Sequence, residues 1–315
     1  MFKKPDFPLP LQAYLIRPCR YLALTYANTS MYDGPGSQLQ RVYGIYALSR
    51  ALKVPYLHAP LLKIGYVALD RIKTRFYDDA IRERFNTRFM IPSTPWPDTP
   101  DHTCECEEPT WSELLAIRKT AKAKREYTLV RIHRPYAVTD TWPAIYKAAK
   151  AVSPFPAPTP SGGPFRVAMH IRRGELVHIK REQHRMLLID YYRQLAGQIH
   201  QALDALGMKY HMDIYTEAAH EDPDPNRFDV FADMLSTTVH VNLDPVSPLE
   251  AMATSGLLVT GHSSYSYLAG MLNRTGTVIC HPFWHRPLPS WLVADYAGHV
   301  PPAQLMRRLC QARRC

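Results

Sequence analysis

A chain of 315 residues with 46% hydrophobic side chains is long enough to bury one large core or two smaller ones, which excludes a disordered polymer. No uncharged apolar run approaches the roughly 18 residues of a membrane-spanning helix, and six cysteines are too sparse for a disulfide framework, with Cys104 and Cys106 lacking a second pair at zinc spacing. The formal charge of +10 favours an anionic partner, whether nucleotide, phosphorylated lipid, acidic polymer or nucleic acid.

The N-terminal lysines precede a segment broken by Asp6 and several prolines, so no signal-peptide core follows them. A cytoplasmic location, or a place within a larger protein, is expected. "YLALTY" (21–26) reads as a strand, "SQLQRVYGIYALSRAL" (37–52) as a helix and "PYLHAP" (55–60) as a second strand, a βαβ opening. Residues 69–86 and 111–126 read as further helices, with 87–110 a proline-rich loop between them. "RKTAKAKREYTLVRIHR" (118–134) concentrates positive charge, as a solvated face or a polyanion site.

At "SPFPAPTPSGGP" (153–164) proline, glycine and serine crowd together and every periodicity stops. The expected organisation is an N-terminal domain over 1–152, this linker, and a C-terminal domain over 165–315. Beyond the linker, strands "RVAMHIR", "HMDIYTE", "TVHVNL", "GLLVT" and "TVIC" alternate with helices at 188–206, near 227–235, 248–255 and 264–272. Such alternation predicts an α/β fold with a parallel sheet covered on both faces. "SPLE" places Ser247 as N-cap, Pro248 in the first turn and Glu250 where it closes a capping box. The last segment, "AQLMRRLCQARR" (303–314), reads as a basic amphipathic helix that either crosses back onto the first domain or makes a peripheral contact with an anionic membrane.

Side chains alternate along a strand, so in "VAMHIRRGE" His170 and Arg172 share one face while Val167, Met169 and Ile171 share the other. Ligands of open parallel sheets bind just beyond the carboxyl ends of the strands. A guanidinium there offers a planar fork of donors to phosphate oxygens, unless Arg172 and Arg173 simply pair with structural carboxylates. "VTGHSSYSYLAGMLN" (259–273) ends a strand in Gly261 and opens a helix whose first turn offers N–H groups and the hydroxyls of Ser263, Ser264 and Ser266. "DGPGSQLQ" (33–40) sets Gly34 and Gly36 in a third turn between strand and helix, although it is neither a dinucleotide fingerprint nor a P-loop.

These three segments, in this order, resemble the fucosyltransferase superfamily that includes the α-1,2-, α-1,6- and protein O-fucosyltransferases. "HIRRGE" is the most specific match; Ser37, Glu175, Tyr267 and Leu268 depart from the α-1,2 pattern. The resemblance implies a GT-B-like enzyme, two Rossmann-like domains facing a cleft, that inverts the sugar carbon and uses neither metal nor cofactor. It implies that Arg172 stabilises the departing diphosphate and that His170 and Arg173 line the nucleotide pocket. Ser263, Ser264 and Ser266 would then contact phosphate, with Glu217 near the base or ribose. Glu175 and Glu182 follow the arginines and are the candidate bases for the acceptor hydroxyl. GDP-fucose is the leading donor, UDP-xylose or a deoxysugar nucleotide the alternative, and an oligosaccharide or glycoconjugate the acceptor. No nucleic acid is expected as a partner of such an enzyme. A reading of another class is a non-catalytic binder of polyanions or glycans through 118–134.

"DPD" (222–224) resembles a metal clamp but sits among prolines and reads as a turn. His281 and His285 of "HPFWH" have zinc-pair spacing, yet Pro282 disfavours a helix, and both read as loop or core histidines.

Overall fold

The computed structural model describes residues 16–28, 33–68, 73–157, 163–218, 228–231, 234 and 236–314. The chain divides into two units: Met1–Gly65 with Phe76–Pro154, and Tyr66–Arg75 with Phe155–Cys315. Each is an α/β unit built on a parallel sheet.

In the first unit, β1 (Leu22–Tyr26) leads to α1 (Pro35–Leu52). α1 is buried on most of its circumference, including Gln38, Gln40 and Arg41, so it serves as an interior helix rather than a half-exposed one. Lys53 in the left-handed region terminates it, its N–H bonding back to Ser49 and Arg50. The short strands β2 (Gly65–Ala68) and β3 (Lys73–Phe76), which apart from Gly65 and Phe76 group with the second unit, pair in a two-stranded sheet. Then come α2 (Asp79–Arg88), β4 (His102–Cys106), α3 (Trp111–Lys124) and β5 (Thr128–Ile132). The strand order is β1-β5-β4, all parallel.

Three expectations for the part of the chain before the linker need correction. Residues 69–86 are not one helix: 73–76 form a strand, and α2 starts only at Asp79, where Asp78 Oδ1 accepts the N–H of Ile81 at 2.8 Å. "PYLHAP" pairs with β1 only as a single parallel bridge at Tyr56, Leu24 donating to the Pro55 carbonyl and Leu57 to the Leu24 carbonyl, while the N–H groups of Tyr56 and His58 face the other way, onto the hydroxyls of Thr94 and Ser93. Within 87–110, expected to be loop, "HTCEC" adds the edge strand β4. α3 begins on a capping box in which Thr110 and Glu113 exchange hydrogen bonds.

The second unit carries β6 (Phe165–Ile171), α4 (Ile189–Ala205), β7 (Tyr210–Thr216), β8 (Thr237–Val241), α5 (Ser247–Thr254), β9 (Leu257–Val259), α6 (Ser264–Leu272), β10 (Thr277–Cys280), β11 (Leu292–Val293) and α7 (Pro302–Arg314). Its sheet runs β11-β10-β9-β6-β7-β8, with every pair parallel. Renumbered within the unit this is the doubly wound Rossmann order 3-2-1-4-5-6 read from β8 to β11, and the strand order reverses between β6 and β9.

Val167, Met169 and Ile171 of β6 pack with Met212 and Ile214 of β7, Leu195 and Ile199 of α4, and Leu305 and Leu309 of α7. The apolar stripe of α7 is thus covered by the unit's own core, which corrects the expectation of a helix free to lie on a membrane. No helix among the described residues is long and apolar enough to cross one.

In place of the helix expected near 227–235, the described residues there hold a 3-10 turn, Asp229–Phe231. Ser247 does not cap α5. Asp244 does the local work, accepting from the N–H of Val246 at 3.0 Å and from the Ser247 hydroxyl at 2.7 Å. "DPD" (222–224) lies outside the described residues.

Candidate functional site

The carboxyl ends of β6 and β9 meet at the point where the strand order reverses. Here Gly261 has no room for a side chain: a Cβ on it would stand 2.8 Å from the carbonyl oxygen of His170 and 3.3 Å from the backbone nitrogen of Arg172. The close approach brings "HIRRG" and "GHSS" together main chain to main chain.

Beyond β6 the chain turns sharply. Gly174 sits at φ 51°, in the left-handed region that favours glycine, and donates its N–H to the carbonyl of Glu217 at 3.1 Å. Thr216 Oγ1 donates to the carbonyl of Ile171 at 3.0 Å, so the ends of β6 and β7 are tied twice. A 3-10 turn, Gly174–Val177, then carries Glu175 back over the strand end.

Arg172 lies between two carboxylates, one guanidinium nitrogen on Glu175 and another on Glu217. The side chains of Arg172 and Glu175 are 18% and 10% exposed, whereas that of Glu217 is 47% exposed, which makes Glu217 the looser partner. Burial pushes the Glu175 carboxyl above the usual range; Arg172 opposes that shift and Glu217 adds to it.

His170 is buried, with its ring 5.7 Å from that of Tyr265 and its Nδ1 lacking a hydrogen-bond partner. Burial first, and the Arg172 charge second, push its pKa down to about 3, so the imidazole is neutral at any physiological pH. Arg173 turns the other way, its guanidinium 5.8 Å from the ring of Phe228 in the core that contains Ile171.

Ser263 is the N-cap of α6, its Oγ accepting the N–H of Tyr265 at 3.2 Å. Ser264 follows at the first helical position, half-buried. Ser266 is fully buried and donates to the carbonyls of Gly261 and Ser263, both at 3.4 Å, so its hydroxyl faces backbone. The Glu182 side chain lies outside the described residues.

In the first unit, Gly34 is the N-cap of α1 and Gly36 lies in its first turn. A Cβ on Gly34 would make only an ordinary 3.7 Å contact with the carbonyl of Gly65, so the local packing does not demand glycine there. Arg41 pairs with Asp33 at 2.5 Å and donates to the Tyr136 hydroxyl at 3.3 Å, while Gln38 ties the turn to the carbonyls of Asp33 and Lys63, each at 2.8 Å.

The basic stretch 118–134 meets acidic partners. Arg131 and His133 reach Glu105, Arg134 reaches Glu107 and Glu108, and Lys124 and His102 reach Glu126.

Around the second unit's strand ends the sequence reading passed over His262, Arg185 and Trp284, and it took His281 as a loop or core histidine without a partner. His262 and His281 are hydrogen-bonded to each other, and Arg185 lies 4.4 Å over the ring of Trp284. The rule that ligands gather beyond parallel strand ends would have found the histidines, since His262 follows β9 and His281 follows β10 directly.

No protein-family model and no curated protein matches the chain. Solved structures similar to it include Escherichia coli heptosyltransferase WaaC with ADP, at 13% identity and TM-score 0.44, covering 92% of this chain and 99% of that one. POFUT1 in complex with GDP-fucose is similar at 13% identity and TM-score 0.40, over 81% of this chain and 94% of that one. At these values the likeness assigns neither donor nor acceptor to this chain.

Proposed function

We propose that the protein is a glycosyltransferase that moves a sugar from a nucleoside diphosphate sugar to a hydroxyl group, with inversion and with no cofactor besides the donor. The observation that carries this reading is the placement of "HIRRG" and "GHSS" together at the reversal point of a Rossmann-ordered sheet, where phosphorylated ligands bind in such sheets. In the reaction the bond from the sugar's anomeric carbon to the diphosphate breaks, a bond to the acceptor oxygen forms, and the acceptor's proton is lost. Negative charge builds on the departing diphosphate, and a preorganised guanidinium is the group suited to meet it.

Arg172 is held ready for that role. A diphosphate entering the site exchanges with the exposed carboxylate of Glu217, while the buried carboxylate of Glu175 keeps the guanidinium oriented. This makes Glu175 a positioning residue for Arg172 in place of a free base. His170, neutral and with Nδ1 unpartnered, lines the same pocket, and the first turn of α6 offers N–H groups and the Ser264 hydroxyl. The resemblance of "HIRRGE" to the fucosyltransferases favours GDP-fucose as donor, with UDP-xylose or a deoxysugar nucleotide as the alternative, and a glycan as acceptor. The polyanion-binding reading has less in its favour, because Lys124, Arg131 and Arg134 of 118–134 pair with Glu126, Glu105, Glu107 and Glu108, which offsets part of its charge.

The test is thermal stabilisation by GDP, UDP and their sugar conjugates, on the native chain and on Arg172→Ala. A ligand bound only to the folded state must raise its stability. A GDP-selective shift lost in the variant supports the fucosyl reading, and a UDP-selective one changes the donor. No shift with any nucleotide overturns the reading.

A further inference from the structure

His262 and His281 have no part in the reaction as described. They stand at the carboxyl ends of adjacent parallel strands, and both are buried. Nε2 of His262 and Nδ1 of His281 are 2.8 Å apart, with ring centroids at 4.9 Å. A contact of that length requires one protonated and one bare nitrogen. Two phenylalanines would fill the same space without that demand.

The two rings also differ in where they lead. His262 lies in the backbone between Gly261, packed on His170 and Arg172, and Ser263, the cap of α6. Its ring stacks on Phe283, centroids 5.1 Å apart and planes within 5°, which locks its orientation. His281 leads outward: its ring centroid is 4.3 Å from that of Tyr296, a residue 85% exposed.

We propose that His262 and His281 form a proton relay that takes the proton of the acceptor hydroxyl from the transfer site to solvent. The proposal rests on the glycosyltransferase reading above. In the resting tautomer, His262 holds its proton on Nε2, donated to Nδ1 of His281, and His281 holds its proton on Nε2. As the acceptor oxygen bonds to the sugar carbon, its proton passes to Nδ1 of His262, the Nε2 proton of His262 passes to Nδ1 of His281, and the Nε2 proton of His281 passes to water. One proton enters and one leaves, and both rings end neutral in the opposite tautomer. The balance matches the reaction, which releases one proton as the nucleoside diphosphate departs with one more negative charge than it carried in the donor.

The surroundings favour a relay over a charged base. Facing His262 are His281, His184 and Arg185; facing His281 are Tyr191, Asp295, Tyr296 and the backbone carbonyl of Pro282, which accepts from its ring. Burial first, with His281 and Arg185 adding to it, holds His262 down to about 4, and burial lowers His281, so neither ring stores an imidazolium at neutral pH. A concerted transfer through the pair never requires one.

The test compares the native chain with His281→Gln, using the donor whose nucleotide stabilises the protein. The expected result is unchanged stabilisation by nucleotide, a fall in kcat of about 10²-fold, and loss of the curvature that a two-proton relay gives the rate in mixtures of light and heavy water. Native kcat and an unchanged solvent isotope effect in His281→Gln overturn the relay alone. Absence of any nucleotide shift in the native chain overturns the transferase reading, and the relay with it. Because the variant could fail to fold, the native chain is also labelled with 15N-histidine: two neutral rings with a shared proton between pH 6 and pH 8 are expected, and an imidazolium there overturns the relay.

Discussion

Gly261 lies so close to His170 that a Cβ on the glycine would stand 2.8 Å from the histidine's carbonyl oxygen. The contact is backbone to backbone, so a flexible side chain cannot move aside to relieve it. Gly261→Ala is therefore expected to destabilise the fold by about 1–3 kcal/mol, measured as a lower midpoint in urea, and to weaken nucleotide stabilisation because the ends of β6 and β9 are forced apart.

In the proposed reaction Arg172→Ala removes the guanidinium that meets charge on the leaving diphosphate, and it also leaves Glu175 buried without its ion-pair partner. A loss of about 10²–10³-fold in kcat is expected. Arg172→Lys restores charge without the fork that spans two partners and is expected to recover only part of the rate. Steady-state kinetics with the preferred donor decide the point, and equal rates in all three proteins would remove Arg172 from the mechanism.

Glu217 pairs with Arg172 and, in the proposed reaction, competes with the diphosphate for it. Glu217→Gln is expected to tighten nucleotide binding by up to about fivefold, the scale of an exposed ion pair, as read by titration calorimetry. Weaker binding would show instead that Glu217 contacts the ligand directly.

Glu175 has a raised carboxyl pKa in the folded chain. Between its unfolded and folded pKa values the native state binds more protons, so its contribution to stability is fully present below the unfolded pKa and is lost as pH rises through the folded one. Glu175→Gln is expected to lack this loss: its stability relative to the native chain should improve between pH 4 and pH 8. Urea midpoints across that range check the slope.

His170 has the opposite sign. An unfolded histidine takes up a proton below about pH 6.5, whereas the buried ring stays bare until about 3. Stability is therefore lost as pH falls from about 6.5 toward 3, and His170→Gln is expected to flatten that acid limb. Thermal midpoints from pH 7 to pH 4 test it, and identical profiles would place His170 in solvent.

Much of the second unit was legible from local pattern. "RVAMHIR", "HMDIYTE" and "TVIC" state their strands, and the glycines of "HIRRG" and "VTGHSS" mark a left-handed turn and a close backbone approach. The first unit was harder to read because its signals compete. Tyr56 has strand chemistry and bridges Leu24, but its other edge is occupied by the hydroxyls of Ser93 and Thr94, from a distant proline-rich segment, rather than by a neighbouring strand. Asp244 in place of Ser247 at the start of α5 is a smaller case of the same kind, two local acceptors of which tertiary placement selects one.

By itself the sequence determined the alternation of strands and helices, the face of β6 that carries His170, and the glycines at which the backbone must turn or touch. Those features depend on side-chain period and on φ/ψ preference, which are properties of a few consecutive residues. Only the tertiary structure decided that β9 lies beside β6, that the carboxylates closing on Arg172 belong to Glu175 and Glu217, and that His262 meets His281. Each of these except the short contact to Glu175 joins residues far apart in the chain, and such pairings follow from the packing of the whole sheet rather than from any local pattern.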